Sequence, residues 1–390
     1  MSQQEIIVIG GGMVGAATAL GLAQLGLKVA LIEKNPLPTF STEAPYDIRI
    51  SAISVASVDL LEKLGAWQAI AAMRVCPYDG LETWEIDGFN TTFHANELGL
   101  DKLGYMVENN VIQIGIWQTL NHYPNCVQAV GFEHIFANRD EMGNWRISLD
   151  NHTEFSAPLV IACDGANSIV RSWAGIGLTS WQYRQHCLLA IVKTELSQQS
   201  VTWQQFFASG PRAFLPLSDH NGCVVWYDSP QRIQQLRQMS SAKLSEEIKC
   251  HFPTRLGKVD VIHHADFPLT RQHAQHYFKN GVVLVGDSAH TINPLAGQGV
   301  NLGFKDVKAL LDVFEKALSK GEDLADNAVL KRYEQKRKPD NLLMQTGMDV
   351  FYKAFKTELL PVKVARNLAL VVAEKVSPLK KKALKYAIGL

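Results

Sequence analysis

At 390 residues the chain exceeds one ordinary core, so two domains, consecutive or interleaved, are expected. Its 47% hydrophobic and 19% charged residues exclude a disordered chain, and Lys+Arg and Asp+Glu, 38 each, give no general electrostatic reason to bind nucleic acid. Six scattered cysteines (Cys76, Cys126, Cys163, Cys187, Cys223, Cys250) form neither a C-x-x-C metal pair nor a disulfide framework, so no metal site is expected and a reducing, cytoplasmic setting is the simpler reading.

Ile6-Ile-Val-Ile9 opens the chain as an apolar run of the kind buried on both faces of a parallel sheet. Gly10-x-Gly12-x-x-Gly15 follows, Val14 to Gly26 suits a helix, and Lys28–Glu33 reads as a second strand. The glycines fit a tight turn, close approach to a pyrophosphate, and close helix–strand packing. The helix N-terminus adds N–H groups and a positive dipole end for the anion. Glu33 lies 18 residues beyond Gly15, where an acid accepts hydrogen bonds from an adenosine ribose. This β-α-β unit predicts dinucleotide binding and leaves NAD and FAD open. Although Ile6–Leu27 carries no charge, no Lys or Arg precedes it and Gly10-Gly11-Gly12 interrupts it. Neither a signal peptide nor a membrane span is therefore expected.

Leu81–Ile86 alternates as a half-buried strand does. Leu159–Cys163 is another buried run, followed by Asp164-Gly165-Ala166-Asn167-Ser168-x-x-Arg171. There Asp164 and Gly165 make a turn, and Arg171 is placed to pair with a carboxylate or phosphate. Leu188–Thr194, Thr202–Phe207, Arg212–Leu217 and Cys223–Tyr227 are strand-like, with turns at Ser209–Pro211 and Asp219–Gly222. They suggest an antiparallel sheet walling a substrate chamber, with Trp203, Phe214 and Trp226 as lining candidates or, equally, core. Val282–Val285 is a further buried strand, ending in Gly286-Asp287-Ser288-Ala289-His290 and, past Pro294, Gly297-Gln298-Gly299-Val300-Asn301. Ligands gather outside the carboxyl ends of such strands, and Asp287 there suits the hydroxyls of a ribitol chain. The helix starting at Gly297–Gly299 would face its N–H groups to a flavin ring, whose reduced form is negative near N1. Three such strand ends favour FAD over NAD. His290 is a candidate acid or base by residue type alone, but a loop-ordering hydrogen bond is the preferred reading over acid–base catalysis. Phe304–Leu318 places its apolar residues on one helical face, with Gly321 as C-cap.

The expected fold is α/β. A discontinuous Rossmann-like FAD-binding domain (1–75, 105–180 and 272–345) is interleaved with an antiparallel-sheet substrate domain (76–104 and 181–271) and followed by C-terminal helices (346–390). From the first strand to about Arg337, the three motifs resemble those of the class A flavoprotein monooxygenases, typified by para-hydroxybenzoate hydroxylase. Within that class, Asp47-Ile-Arg-Ile-Ser-Ala52, Val107-Glu-Asn-Asn110 and Ala289–Gly303 are similar to the ubiquinone-biosynthesis hydroxylases. Thr202–Phe206, Val225–Pro230 and Ala383–Leu390 are similar to the branch acting on a polyprenyl demethoxybenzoquinol. Ser288 stands where many relatives carry Ala, a harmless departure.

The resemblance implies FAD as cofactor, NAD(P)H as transient reductant and O2 as co-substrate, with a C4a-hydroperoxyflavin passing oxygen to an aromatic ring. It implies a hydrophobic polyprenyl quinol substrate and a complex with other ubiquinone-biosynthesis enzymes. Gly10, Gly12, Gly15 and Glu33 would hold the ADP half; Asp287 and the backbone of Gly297, Gln298, Gly299 and Asn301 would hold ribitol and flavin, with Asp164 in the same converging set. Arg49 matches a family arginine near the pyrophosphate and nicotinamide path, its alternative being a surface ion pair. Gln113 stands where relatives often carry Arg or Gln touching FAD. No residue is assigned a catalytic role. The alternatives are a prenyl-lipid reductase or dehydrogenase of the same fold, a flavin-bound quinone carrier without turnover, and an NAD-dependent dehydrogenase.

From Pro361 onward stand seven basic residues (Lys363, Arg366, Lys375, Lys380, Lys381, Lys382, Lys385) and one acid, Glu374, a net charge of +6. Interspersed apolar residues suggest two amphipathic helices broken at Pro378. Two readings stay open: helices lying on an anionic membrane surface, or helices docked on the body with their lysines in water.

Overall fold

A computed structural model describes residues 2–196, 200–292 and 299–357, together with 361, 363, 366, 367, 380–382, 384 and 385. The apolar run Ile6–Ile9 lies inside a six-stranded sheet ordered Phe278–Lys279, Val282–Leu284, Leu159–Ala162, Ile6–Ile9, Val29–Glu33, Cys126–Val130. All its pairings are parallel except the outermost hairpin. Its central strands are apolar throughout because both faces are covered. Helices Met13–Gln24, Asn109–Leu120 and Gly299–Leu318 pack with it on one side, and Trp145, Ile147 and Phe155 of a smaller sheet join the same core. In register Ile9 pairs with Ala162, and Ala162 with Leu284. Three strands therefore end level, and the turns that follow them sit side by side.

An eight-stranded sheet carries the second layer, built on two long antiparallel strands, Leu178–Thr194 and Val259–Ala274. One face bears Leu188, Ala190, Val192, Trp203, Phe214, Val224 and Trp226, packed under helices Pro230–Arg237 and Ser241–His251. The other bears Leu189, Ile191, Leu215, Cys223 and Val225, grouped with Tyr46, Ile48, Ile50, Ala52 and Met106. Trp203, Phe214 and Trp226 are thus core beneath the outer helices, not lining of a chamber. Alternation separates two faces but does not say which looks inward when both are covered.

Asn327–Lys356 forms one thirty-residue helix, running across the boundary expected at 345. The Asp326 side chain caps it by accepting from the Ala328 N–H at 2.8 Å, and Pro339 lies within it. Beyond it, Arg366 pairs with Glu85, Lys380 lies 3.0 Å from Glu97, and Leu384 is buried against the inward sheet face. At these residues the tail is docked on the body, while Lys381, Lys382 and Lys385 are exposed. Pro378 lies outside the described residues, so the two-helix reading is not addressed there. Among the described residues no helix is long and apolar enough to cross a membrane.

Candidate cofactor site

The three level turns open on a cleft of about 910 Å³, at the upper end of the roughly 300–1,000 Å³ usual for ligand sites. Gly10 has φ +98° and a Cβ on it would meet the Cys163 carbonyl oxygen at 2.4 Å. A Cβ on Gly15 would stand 1.8 Å from the Gly10 carbonyl oxygen, so helix and turn are packed together there. Gly15 thus acts in packing, whereas Gly10 and Gly12 line the cleft. Gly12 has only open space where its Cβ would be, and no side chain caps the helix that follows. The first N–H groups of that helix therefore need partners from outside it. Gly11 is gripped from both ends: its N–H donates to Glu33 Oε2 at 2.6 Å, and its carbonyl accepts from Gln113 Nε2 (2.9 Å) and Trp117 Nε1 (2.8 Å). Glu33 Oε1 accepts from the Asn35 N–H at 2.8 Å, and Glu33, Gln113 and the exposed Arg49 all line the cleft.

Asp164 stands at the second turn. Its Oδ2 accepts from the Ile169 and Val170 N–H groups at 2.8 and 3.2 Å, while its buried Oδ1 has no protein partner. Burial raises its carboxyl above the ordinary value, against hydrogen bonds that lower it. Among the described residues Arg171 forms no ion pair; its Nη1 donates to the Ser288 carbonyl (2.8 Å) and Nη2 to the Ala166 carbonyl (3.0 Å). It ties the second turn to the third. The Ser288 hydroxyl donates to the Ala162 carbonyl at 2.6 Å, so it fits inside the strand ends.

Asp287 is exposed at the third turn, within the cleft. The surrounding protein raises its carboxyl above the ordinary value, His290 opposing the rise and Asp306 adding to it. Helix Gly299–Leu318 brings Gly299 and Val300 to the same cleft, so its N-terminal end faces the space beside Asp287. Pro294, Gly297 and Gln298 lie outside the described residues. The Asn301 side chain turns away from the cleft. Its Oδ1 accepts from the Ser54 N–H (3.0 Å) and Ser57 Oγ (2.8 Å), and Nδ2 donates to the Ala52 carbonyl (2.8 Å). It braces the strand Ile50–Ser54, whose start lines the cleft beside Arg49.

His290 is buried and out of the cleft, its Nε2 2.5 Å from Asp306 Oδ2. The same Asp306 oxygen accepts from the Gly286 N–H (3.1 Å), and Oδ1 accepts from Arg337 Nε (2.7 Å) and Asn341 Nδ2 (3.1 Å). Asp306 and Arg337 escaped the sequence reading. The available signal was an acid between Leu302 and Leu310 on the buried stripe of an amphipathic helix, where a charge needs a partner.

The donor set suits a bound dinucleotide: open N–H groups for a pyrophosphate, an orphaned buried acceptor at Asp164 and an accessible carboxylate at Asp287 for hydroxyls, and a helix end for a ring that becomes negative. Residues 3–341 match the FAD binding domain family. The chain is 51% identical to the 3-demethoxyubiquinol 3-hydroxylase of Escherichia coli (strain K12), across 99% of this chain and 98% of that one. It is 31% identical to the mitochondrial ubiquinone biosynthesis monooxygenase COQ6 of Danio rerio, covering 98% and 89% of the two chains. Its fold is similar to that of p-nitrophenol 4-monooxygenase PnpA from Pseudomonas putida, with a TM-score of 0.79 at 20% identity, covering 100% and 99% of the chains.

Proposed function

Because this chain belongs to the FAD binding domain family and is an FAD-dependent monooxygenase, we propose that it hydroxylates the ring of a polyprenyl demethoxybenzoquinol in ubiquinone biosynthesis. The observation that carries the substrate is the 51% identity, kept over 99% of the chain, to a demethoxyubiquinol hydroxylase. The apolar inward sheet face, with Leu189 and Val225 only half-buried, suits so lipophilic a ligand.

In this reading Gly10, Gly12 and Glu33 hold the ADP half, with Gly15 supporting them by packing. Asp164 and Asp287 take hydroxyls, and Gly299 presents the helix end to the ring. Arg49 and Gln113 complete the walls. When bound, FAD supplies electron transfer and oxygen activation, with NAD(P)H and O2 as co-substrates. The protein's part is to fix the cofactor against the apolar sheet face, keep water out, and orient the quinol there. The interleaved division into FAD and substrate domains belongs to the same proposal. So do peripheral attachment to a membrane from the cytoplasmic side and assembly with other enzymes of the pathway. The reductase and carrier readings gain nothing from the relatives.

The test is anaerobic flavin reduction by NADH or NADPH, with and without a short-chain demethoxyquinol, followed by labelled O2 and mass analysis of the product. Substrate-stimulated reduction and one labelled oxygen in the ring are expected. Turnover with no label in the product rules out the monooxygenase reading.

A further inference from the structure

We infer that the exposed face of helix Asn327–Lys356, with Trp181 beside it, is the surface by which the protein lies on an anionic bilayer. This rests on the lipophilic substrate proposed above and places the contact on the body of the enzyme instead of its basic tail.

Leu343 and Val350 are 63% and 61% exposed, and Leu342 is 37% exposed. Leu343, Gly347 and Val350 follow at spacings of four and three, hence on one side of the helix, and exposed Lys353 continues that side. Two exposed aliphatic side chains one above the other, separated by Gly347 and edged by exposed Thr346, leave an apolar strip that marks a contact surface. Next to it opens a hollow of about 260 Å³ lined by Trp181, Tyr183, Tyr352, Lys353 and Lys356. The Arg271 guanidinium sits 3.9 Å over the Trp181 ring, whose residue is 41% exposed. The hollow's acid, Asp349, is neutralised, since Arg271 pairs with it and the Tyr183 hydroxyl donates to it.

Aliphatic side chains, an amphipathic indole and tyrosines, and two lysines whose stems can lie along them are the set that settles at a headgroup boundary. The lysines select an anionic leaflet. The stripe is narrow beside the roughly 800 Å² each partner of a standard protein interface buries, a minimum a bilayer does not impose.

Position supports the same occupant. The opposite side of this helix packs Met344 and Met348 against Ile292 and Leu302. Leu302 belongs to the helix that begins at the cofactor cleft. One helix thickness, about 10–12 Å, therefore separates the lipid-facing side from the interior next to the cleft. The tail has other attachments, because Arg366 and Lys380 are tied to Glu85 and Glu97 of the sheet layer.

The experiment is co-sedimentation of the full-length, FAD-loaded enzyme with vesicles of phosphatidylcholine alone or mixed with phosphatidylglycerol. Wild type is expected to bind the mixed vesicles. Leu343→Glu with Val350→Glu should weaken binding by about tenfold or more, and Lys353→Glu with Lys356→Glu should remove the preference for phosphatidylglycerol. Phe136→Glu, on an exposed residue of the separate strand Ile135–Arg139, should leave binding unchanged. Retained flavin and an unchanged thermal midpoint certify each variant. Wild-type failure to bind, or wild-type binding by the Leu343/Val350 variant, overturns the inference. So does a lipid-free dimer that this variant converts to monomer, because the face then serves a second copy.

Turnover separates this inference from the functional reading. The Leu343/Val350 variant should match wild type on a water-soluble short-chain quinol and fall behind on a long-chain quinol in vesicles. Wild type inactive on both fails the functional reading while vesicle binding stands.

Discussion

Asp306 Oδ2 and His290 Nε2 meet at 2.5 Å, with both side chains shut off from solvent. With Gly286, Arg337 and Asn341 on the same carboxylate, this contact joins the Asp287 turn to two helices. Burial opposes the charge on Asp306, yet His290 and Arg337 hold its carboxyl down to about 2 from the ordinary 3.8. A folded value below the unfolded one means that ionised Asp306 adds stability above the ordinary value, lost as pH falls through about 2. Asp306→Ala should cost about 3–5 kcal/mol, the usual loss when one partner of a buried pair is removed. Asp306→Asn should cost less and flatten the acid limb of the stability curve. Denaturant titration against pH, with flavin content measured alongside, checks both. A wild-type midpoint with full flavin for Asp306→Ala shows the clamp to be idle.

Gly15 and Gly12 should respond to the same substitution in opposite ways. A methyl group on Gly15 collides with the Gly10 carbonyl at 1.8 Å, whereas one on Gly12 enters open space. Gly15→Ala should therefore destabilise the empty protein by at least about 1–3 kcal/mol, the range for overpacking. Gly12→Ala should fold as wild type and lose FAD, because the methyl group occupies the approach of the pyrophosphate. Thermal melts of empty protein and titration with FAD distinguish the two. Equal FAD affinity in Gly12→Ala and wild type puts the pyrophosphate elsewhere.

The parts of this fold legible in the sequence were those where local pattern and tertiary setting agree. Ile6–Ile9, Leu159–Ala162 and Val282–Leu284 are apolar runs because two layers cover them, and their level ends follow from register alone. Other parts were hidden. The first half of Leu178–Thr194 carries the polar residues Thr179, Ser180 and Gln182, so only its apolar second half read as a strand. Pro339 lies inside a thirty-residue helix, where a proline ordinarily signals a break, so local pattern does not announce its length. Asn301 falls inside the right motif, yet its amide braces Ser54 and Ser57 instead of facing the cleft, since a motif fixes where backbone goes and not where a side chain points. Arg337 stands 31 residues from Asp306, and only the folded chain pairs them.

Asp287 illustrates a conflict between stability and binding. Its carboxyl is raised by the surrounding protein, so the contribution it makes to stability is present below its unfolded value and is lost as pH rises through the folded one. At neutral pH only a small penalty on the empty fold remains, because water screens the exposed carboxylate. Asp287→Asn should raise the melting temperature of the empty protein slightly, yet weaken FAD binding by about 10- to 100-fold through loss of charged hydrogen bonds to hydroxyls. Calorimetry of empty protein and fluorescence titration with FAD give the two numbers independently. A variant that melts lower and binds FAD as tightly as wild type contradicts both halves.

Glu85 and Arg366 fasten the tail independently of the cofactor. Each side chain is 8% exposed, and Asn367 Nδ2 adds a bond to Glu85 at 2.7 Å. Burial pushes the Glu85 carboxyl up, but hydrogen bonds from Arg366 and Asn367 outweigh it and bring it below the ordinary value. Removing the guanidinium leaves a buried carboxylate short of its main partner. Arg366→Ala should therefore cost about 3–5 kcal/mol in tail docking, whereas Glu85→Ala with Arg366→Ala should recover part of that loss, the signature of a coupled pair. The readout is protease cleavage beyond Thr357, rising in Arg366→Ala and partly suppressed in the double variant, with flavin content constant in both. Additive losses across the cycle would mean that the tail is held by its apolar contacts, Leu384 foremost, and that the ion pair only accompanies them.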